Sequence, residues 1–165
     1  MNQVESQVEA YAGDAAEELP LGAYALMMLV FVGGFGSMLL RASRKGRLPK
    51  RIGARDIALL GVATHKLTRV FTRDRVTAAL RFPFTELEGT AGAGELREHP
   101  RGRGLQRAIG SLLTCQFCVG PWTAAALTAG LVAKPRETRA VASMLAMVAL
   151  SDFMHQAYAK ARSAS

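Results

Sequence analysis

From Ser111 to Ala133 the chain runs for 23 residues without a charged side chain. A helix needs about 20 mostly apolar residues to cross the hydrocarbon core of a bilayer. Inside that core every backbone amide must be bonded within the protein, so a lone run of this kind can cross only as a helix. A second uncharged run covers Pro20 to Leu40, 21 residues. A third, Ala140 to Leu150, continues through Phe153, Met154 and Tyr158 with Asp152 as its only clear interruption. Hydrophobic residues make up 50% of the 165, and they gather in blocks instead of the periodic stripes of a soluble protein. The expected fold class is all-α: an integral membrane protein with about three transmembrane helices.

Charge placement supplies the rest of the topology. The formal net charge is +8, which could suggest nucleic acid. The basic residues, however, crowd against the ends of the apolar runs, where anionic lipid and the positive-inside rule account for them. Membrane lipids are the expected partner and nucleic acid is not. Residues 1–18 form an acidic tail (Glu5, Glu9, Asp14, Glu17, Glu18). A secretory signal opens on a basic region, so 19–55 is expected to be an uncleaved anchor with a basic cytoplasmic segment. Arg41, Arg44, Lys45, Arg47, Lys50, Arg51 and Arg55 follow the first run with no acid before Asp56. This places the N-terminus outside and residue 41 onward in the cytoplasm, with the protein multi-pass in the cell membrane. Gly33 and Ser37 form a small-xxx-small pair on the first helix, suited to close approach by another helix. The helix-packing partner is another protein or a second copy of the chain.

Residues 56–75 are amphipathic. Ile57, Leu60, Leu67 and Phe71 fall at helical spacing on one side, with Leu59, Ala63 and Val70 beside them. His65, Arg69 and Arg73 recur every four residues on another face, with Lys66 alongside. A basic amphipathic helix of low hydrophobicity lies in the membrane interface, where Lys66, Arg69 and Arg73 would bind lipid phosphates. Residues 81–104 are rich in Gly, Pro and Arg, lack apolar periodicity, and are expected to be irregular. GTAGAG (89–94) has neither a preceding strand nor a following Lys-Ser/Thr, so a glycine linker is expected there and not a phosphate loop. Pro121 predicts a break or kink near 118–121. Because Trp122–Ala133 alone would reach only ~18 Å, either residues before the proline help to span or the cysteines occupy a turn dipping into the interface. KPRETR (134–139) is expected to be a short outer loop.

Two segments together resemble a known family. DIALLGVATHKLTRVFTRDRVTAALRFPF (56–84) and, after a variable loop, GSLLTCQFCVGPWTAA (110–125) are similar to the bacterial "domain of unknown function 1360" proteins, small predicted membrane proteins. Lys66, Leu67 and Arg69 match the first part of the motif, and Asp74 and Arg81 the next. Cys115, Cys118, Gly120 and Trp122 match the last. The resemblance spans roughly 56–158, within a family-like membrane domain at 56–160, and implies a class without an activity.

Chemistry is therefore sought in the residues. Cys115 and Cys118 are the only cysteines and fall at the cytoplasmic start of the second span, where cells keep thiols reduced. Asp152 and His155 lie near the same end of the third span, and His65 at the same level. Two thiolates with imidazoles make a tetrahedral zinc set: Cys115, Cys118, His155, and His65 or Asp152. Alternatively, the two cysteines could cycle between dithiol and disulfide, or simply pack against Trp122 as small apolar residues. Asp152 paired with His155 could relay protons. The function these readings favour is a non-enzymatic scaffold or accessory subunit of a membrane complex, with a thiol-redox membrane protein as the alternative.

Overall fold

A computed structural model describes residues 19–163, together with the isolated positions 7, 10, 11 and 13. The acidic tail expected over 1–18 otherwise lies outside the described residues. The fold is predominantly helical. In order come α1 (Leu21–Arg44), α2 (Ala54–Thr72), a 3-10 turn (Arg75–Thr77) and the short α3 (Ala78–Arg81). Strands β1 (Thr85–Gly92) and β2 (Glu95–Pro100) follow, then α4 (Gly104–Thr114), α5 (Gln116–Ala133) and α6 (Pro135–Ser163). Helices α1, α5 and α6 are long and apolar enough to cross a membrane, as the three uncharged runs predict. Helix α2 is the amphipathic fourth.

Helix α5 contains 18 residues and so is about 27 Å long, close to the ~30 Å hydrocarbon thickness. It runs through Pro121. The expected break falls earlier, at Cys115, whose backbone is extended (φ −108°, ψ 107°) between α4 and α5. Pro121 is accommodated because the carbonyl it deprives of a donor, that of Phe117, lies in the first turn. The expected loop at 134–139 contracts to a single residue, Lys134. Pro135 starts α6, a position where its missing N–H costs nothing. The Lys134 amide donates to the Gly130 carbonyl at 2.7 Å and that of Thr138 to Lys134 at 3.0 Å.

The chain divides into two compact units. One takes residues up to Gly34 together with 71–119, the other 35–70 and 120 onward. In the second, Ala63, Leu127, Ala142 and Leu145 form a buried cluster, flanked by Leu59, Leu60 and Leu67 of α2. Small residues let the helices approach. A Cβ added at Gly130 would meet Thr138 Oγ1 at 2.7 Å. At the α2 start, Arg139 donates from Nε and Nη2 to the two Asp56 oxygens, each at 2.8 Å, a bidentate pairing. This guanidinium holds the Asp56 carboxyl below the usual aspartate range. With the folded pKa depressed, the pair contributes above the unfolded value and is lost as pH falls through the folded one. A pH series of thermal melts should therefore show a step below the ordinary aspartate range that Asp56→Asn removes.

The first unit holds an antiparallel hairpin where an irregular loop is expected. Its register pairs Thr85 with Pro100, Glu86 with His99 and Thr90 with Leu96. Shifts at Leu87/Gly89 and Thr90/Gly92 put glycines at bulges, and Gly94 (φ +77°) makes the turn in a conformation that side chains resist. The strands carry few apolar residues, so no period-2 signal marks them. The GTAGAG segment is strand and turn, which gives the glycines their place without a phosphate.

Candidate functional site

Helix α2 presents Lys66 and Arg69 three residues apart, hence on one face. This face lines a cleft with residues of α6. Lys66 Nζ donates to Asp152 Oδ2 at 2.8 Å, with the lysine side chain 12% exposed and the aspartate 43%. The stem of a lysine packs well against apolar surface while its head seeks a charge, and Asp152, set into an otherwise apolar helix, supplies it. Beside this pair the His65 ring stacks on Phe153, centroids 6.2 Å apart and 14° from parallel. A cleft of about 120 Å³ opens here, lined by His65, Lys66, Arg69, Asp152, Phe153 and Gln156, with Ala149 at its base.

The arrangement differs from the sequence expectation in one pairing. Asp152 is partnered by Lys66 and not by His155. His155 faces a separate open groove on α6 with Met147, Leu150, Met154 and Tyr158. Three residues along a helix can share a face, but the Asp152 face is already occupied by α2. Arg73 follows the end of α2 (Ala54–Thr72), and its carbonyl accepts from the Leu96 amide at 2.8 Å, so that its backbone supports the hairpin.

Cys115 and Cys118 are joined as a disulfide, where the sequence leads one to expect free thiols. Spacing explains how: Cys115 leaves α4 extended and the chain re-enters helix at once, which folds Cys118 back over it. The Cys118 amide donates to Cys115 Sγ at 3.2 Å and to its carbonyl at 3.1 Å, as does the Val119 amide. Cys115 thereby caps the start of α5. Cys118 is exposed, and Phe117 between them is 91% exposed. In this oxidised state neither sulfur is a thiolate ligand. Among the described residues no group of three or more His, Cys, Asp or Glu side chains is gathered to hold a metal ion.

The sequence singles out Arg81 only as part of a motif, and its role emerges in three dimensions. Its side chain is 1% exposed. Nε donates to Glu98 Oε2 of β2, Nη1 to the Phe71 carbonyl at 3.1 Å and to Thr77 Oγ1 at 2.7 Å, and Nη2 to the Asp74 carbonyl at 3.1 Å. A guanidinium has five N–H donors in a fixed fork, and here the fork ties the 3-10 turn, the end of α2 and the hairpin together. Gly110 does similar work for α4. A Cβ there would collide with the Phe84 carbonyl oxygen and meet Pro100 Cα at 3.1 Å. Sequence reasoning missed Glu98, Gly110 and Gly130. Glu98 could have been guessed only as an acid somewhere downstream of Arg81, with nothing to choose it from Glu86, Glu88 or Glu95.

With this geometry in view, comparisons with known proteins place the chain. The profile of a family described as "Protein of unknown function (DUF1360)" matches residues 59–158, which contain α2 from Leu59, the Arg81 cluster, the disulfide and both later membrane helices. The chain is 29% identical over 112 residues to the "Sporulation protein YjcA" of Bacillus subtilis (strain 168), an alignment covering 66% of this chain and 95% of that protein. No solved structure matches.

Proposed function

The chain belongs to the DUF1360 family, and from that premise we propose that it is a non-enzymatic membrane scaffold, an accessory subunit that works by packing its helices against those of a partner. The observation that carries this is α1: none of its apolar window is buried by the rest of the chain, and a Cβ added at Gly33 or Gly36 meets nothing within 4 Å. Small residues with open space above them let a second backbone approach closely, which drives association in lipid, where burial of apolar surface no longer does. The partner helix belongs to another protein or to a second copy. The charge asymmetry supports a topology with the N-terminus outside and the Cys-x-x-Cys turn and C-terminus on the cytoplasmic side. Blue-native electrophoresis of membranes in mild detergent should show the chain in a higher-mass band that Gly33→Leu disperses. Migration as a monomer, unchanged by Gly33→Leu, would refute the scaffold.

A second reading is favoured by the disulfide. A Cys-x-x-Cys at a helix start, with Cys118 exposed, suits exchange: the helix N-terminus favours the negative charge of a thiolate. A partner dithiol would give two electrons and two protons, leaving Cys115 and Cys118 as thiols and itself oxidised. Under the redox reading, Cys115→Ser and Cys118→Ser each abolish function, while under the scaffold reading both are tolerated. Maleimide labelling of intact and permeabilised cells tells which side the pair faces and its redox state. Once reduced, the two thiolates would also be open to a zinc ion. Elemental analysis of reduced protein beside Cys115→Ser tests that arrangement, and absence of zinc from both rejects it.

A further inference from the structure

We propose that the cleft between α2 and α6 binds a zwitterionic phosphate ester, a phosphate carrying a primary amine on a short linker, as in the headgroup of an ethanolamine phospholipid. The inference rests on the membrane placement of these helices and is independent of any scaffold role. It is carried by the mixed lining of the cleft. Lys66 and Arg69 stand one turn apart on the α2 wall, while Asp152 and Gln156, four residues apart, stand on the α6 wall. The lining carries two cations, Lys66 and Arg69, and one anion, Asp152. A bare anion would meet Asp152 and a bare amine would meet Lys66 and Arg69. A ligand with both charges satisfies both walls, its phosphate oxygens on the guanidinium and ammonium and its amine on the carboxylate.

The fit extends to size and shape. The volume of about 120 Å³ is several times the roughly 10–15 Å³ that a single water requires, which suits a headgroup and leaves acyl chains outside. The stacked His65 and Phe153 rings close one side with a flat surface for the short methylene linker. Asp152 accepts from Lys66 through Oδ2, and a carboxylate has capacity for further donors. Polar pockets between membrane helices are where lipid headgroups are recognised by charge, and an ionisable pair set into a membrane domain marks a functional position.

The test titrates the full chain in detergent with short-chain phosphatidylethanolamine and phosphatidylglycerol, read by native mass spectrometry. One attraction to a carboxylate should favour the ethanolamine lipid by about ten-fold in Kd. Asp152→Asn should erase that preference, and Arg69→Gln should weaken both lipids. Free phosphoethanolamine should compete, and inorganic phosphate at the same concentration should not. Equal or tighter binding of phosphatidylglycerol by the wild-type chain overturns the proposal, as does an unchanged lipid ratio in Asp152→Asn. Competition by inorganic phosphate equal to that by phosphoethanolamine assigns the cleft to a bare phosphate and likewise overturns it. Where Asp152→Asn fails to fold, the wild-type ratio and the two competitors decide.

Discussion

Arg81→Ala is expected to destabilise the hairpin-bearing unit by about 3–5 kcal/mol, the usual consequence of removing one partner from a buried ion pair. Against a typical domain stability of roughly 5–15 kcal/mol, that is a large share. The cost has two parts. Glu98, 6% exposed at its side chain, is left as a buried charge without its guanidinium. The carbonyl of Phe71 loses the donor it receives from Arg81, whereas that of Asp74 keeps the Thr77 hydroxyl at 2.9 Å; an unmet buried acceptor costs ~1–3 kcal/mol. The parts separate experimentally. Arg81→Met combined with Glu98→Leu removes the stranded charge but not the stranded Phe71 carbonyl, so it should recover only part of the loss. Hydrogen exchange of the β1 and β2 amides, with thermal melts of the purified chain, measures both. Full recovery in the double variant would mean that the backbone acceptors contribute nothing. No loss in Arg81→Ala would mean that the network is ornamental.

Gly110→Ala is expected to destabilise the same unit even though alanine is the better helix former by about 1 kcal/mol. The new Cβ would press on the Phe84 carbonyl oxygen and on Pro100, backbone and ring atoms that cannot swing aside. Overpacking of this kind costs ~1–3 kcal/mol, and Gly110→Val should lie at or above the top of that range. Gly61→Ala in the interior of α2 is the control, since its Cβ meets nothing within 4 Å. There the propensity gain stands alone, and melting should rise slightly or hold. The two substitutions are chemically identical, so opposite signs on Tm would isolate the contact of α4 with the hairpin base. The same sign at both positions would refute it.

Legibility in the sequence followed the strength of each physical signal. The bilayer acts on whole runs of residues, so three spans could be drawn from the absence of charge alone, and they overlap α1, α5 and α6. Amphipathic spacing identified α2 and its basic residues for the same reason. The hairpin escaped because Glu86, Glu88, Arg97 and Glu98 give no apolar alternation. Its stability comes from Arg81, Gly110 and the turn beside it, contacts between residues distant in sequence. The position of the helix break escaped by several residues because proline signals a missing donor, and a helix can absorb that near its start, whereas the extended backbone at Cys115 has no such marker.

The sequence by itself determined that this chain lives in a membrane and which residues carry charge at the helix ends, because solvation by lipid or water depends on each segment's own composition. The tertiary structure alone decided which charges meet. Asp152 could have paired with His155. Packing around Ala63, Leu127, Ala142 and Leu145 instead turns Lys66 onto Asp152. An ion pair depends on a few ångströms of separation, and that distance is set by how helices far apart in sequence fit their small residues together.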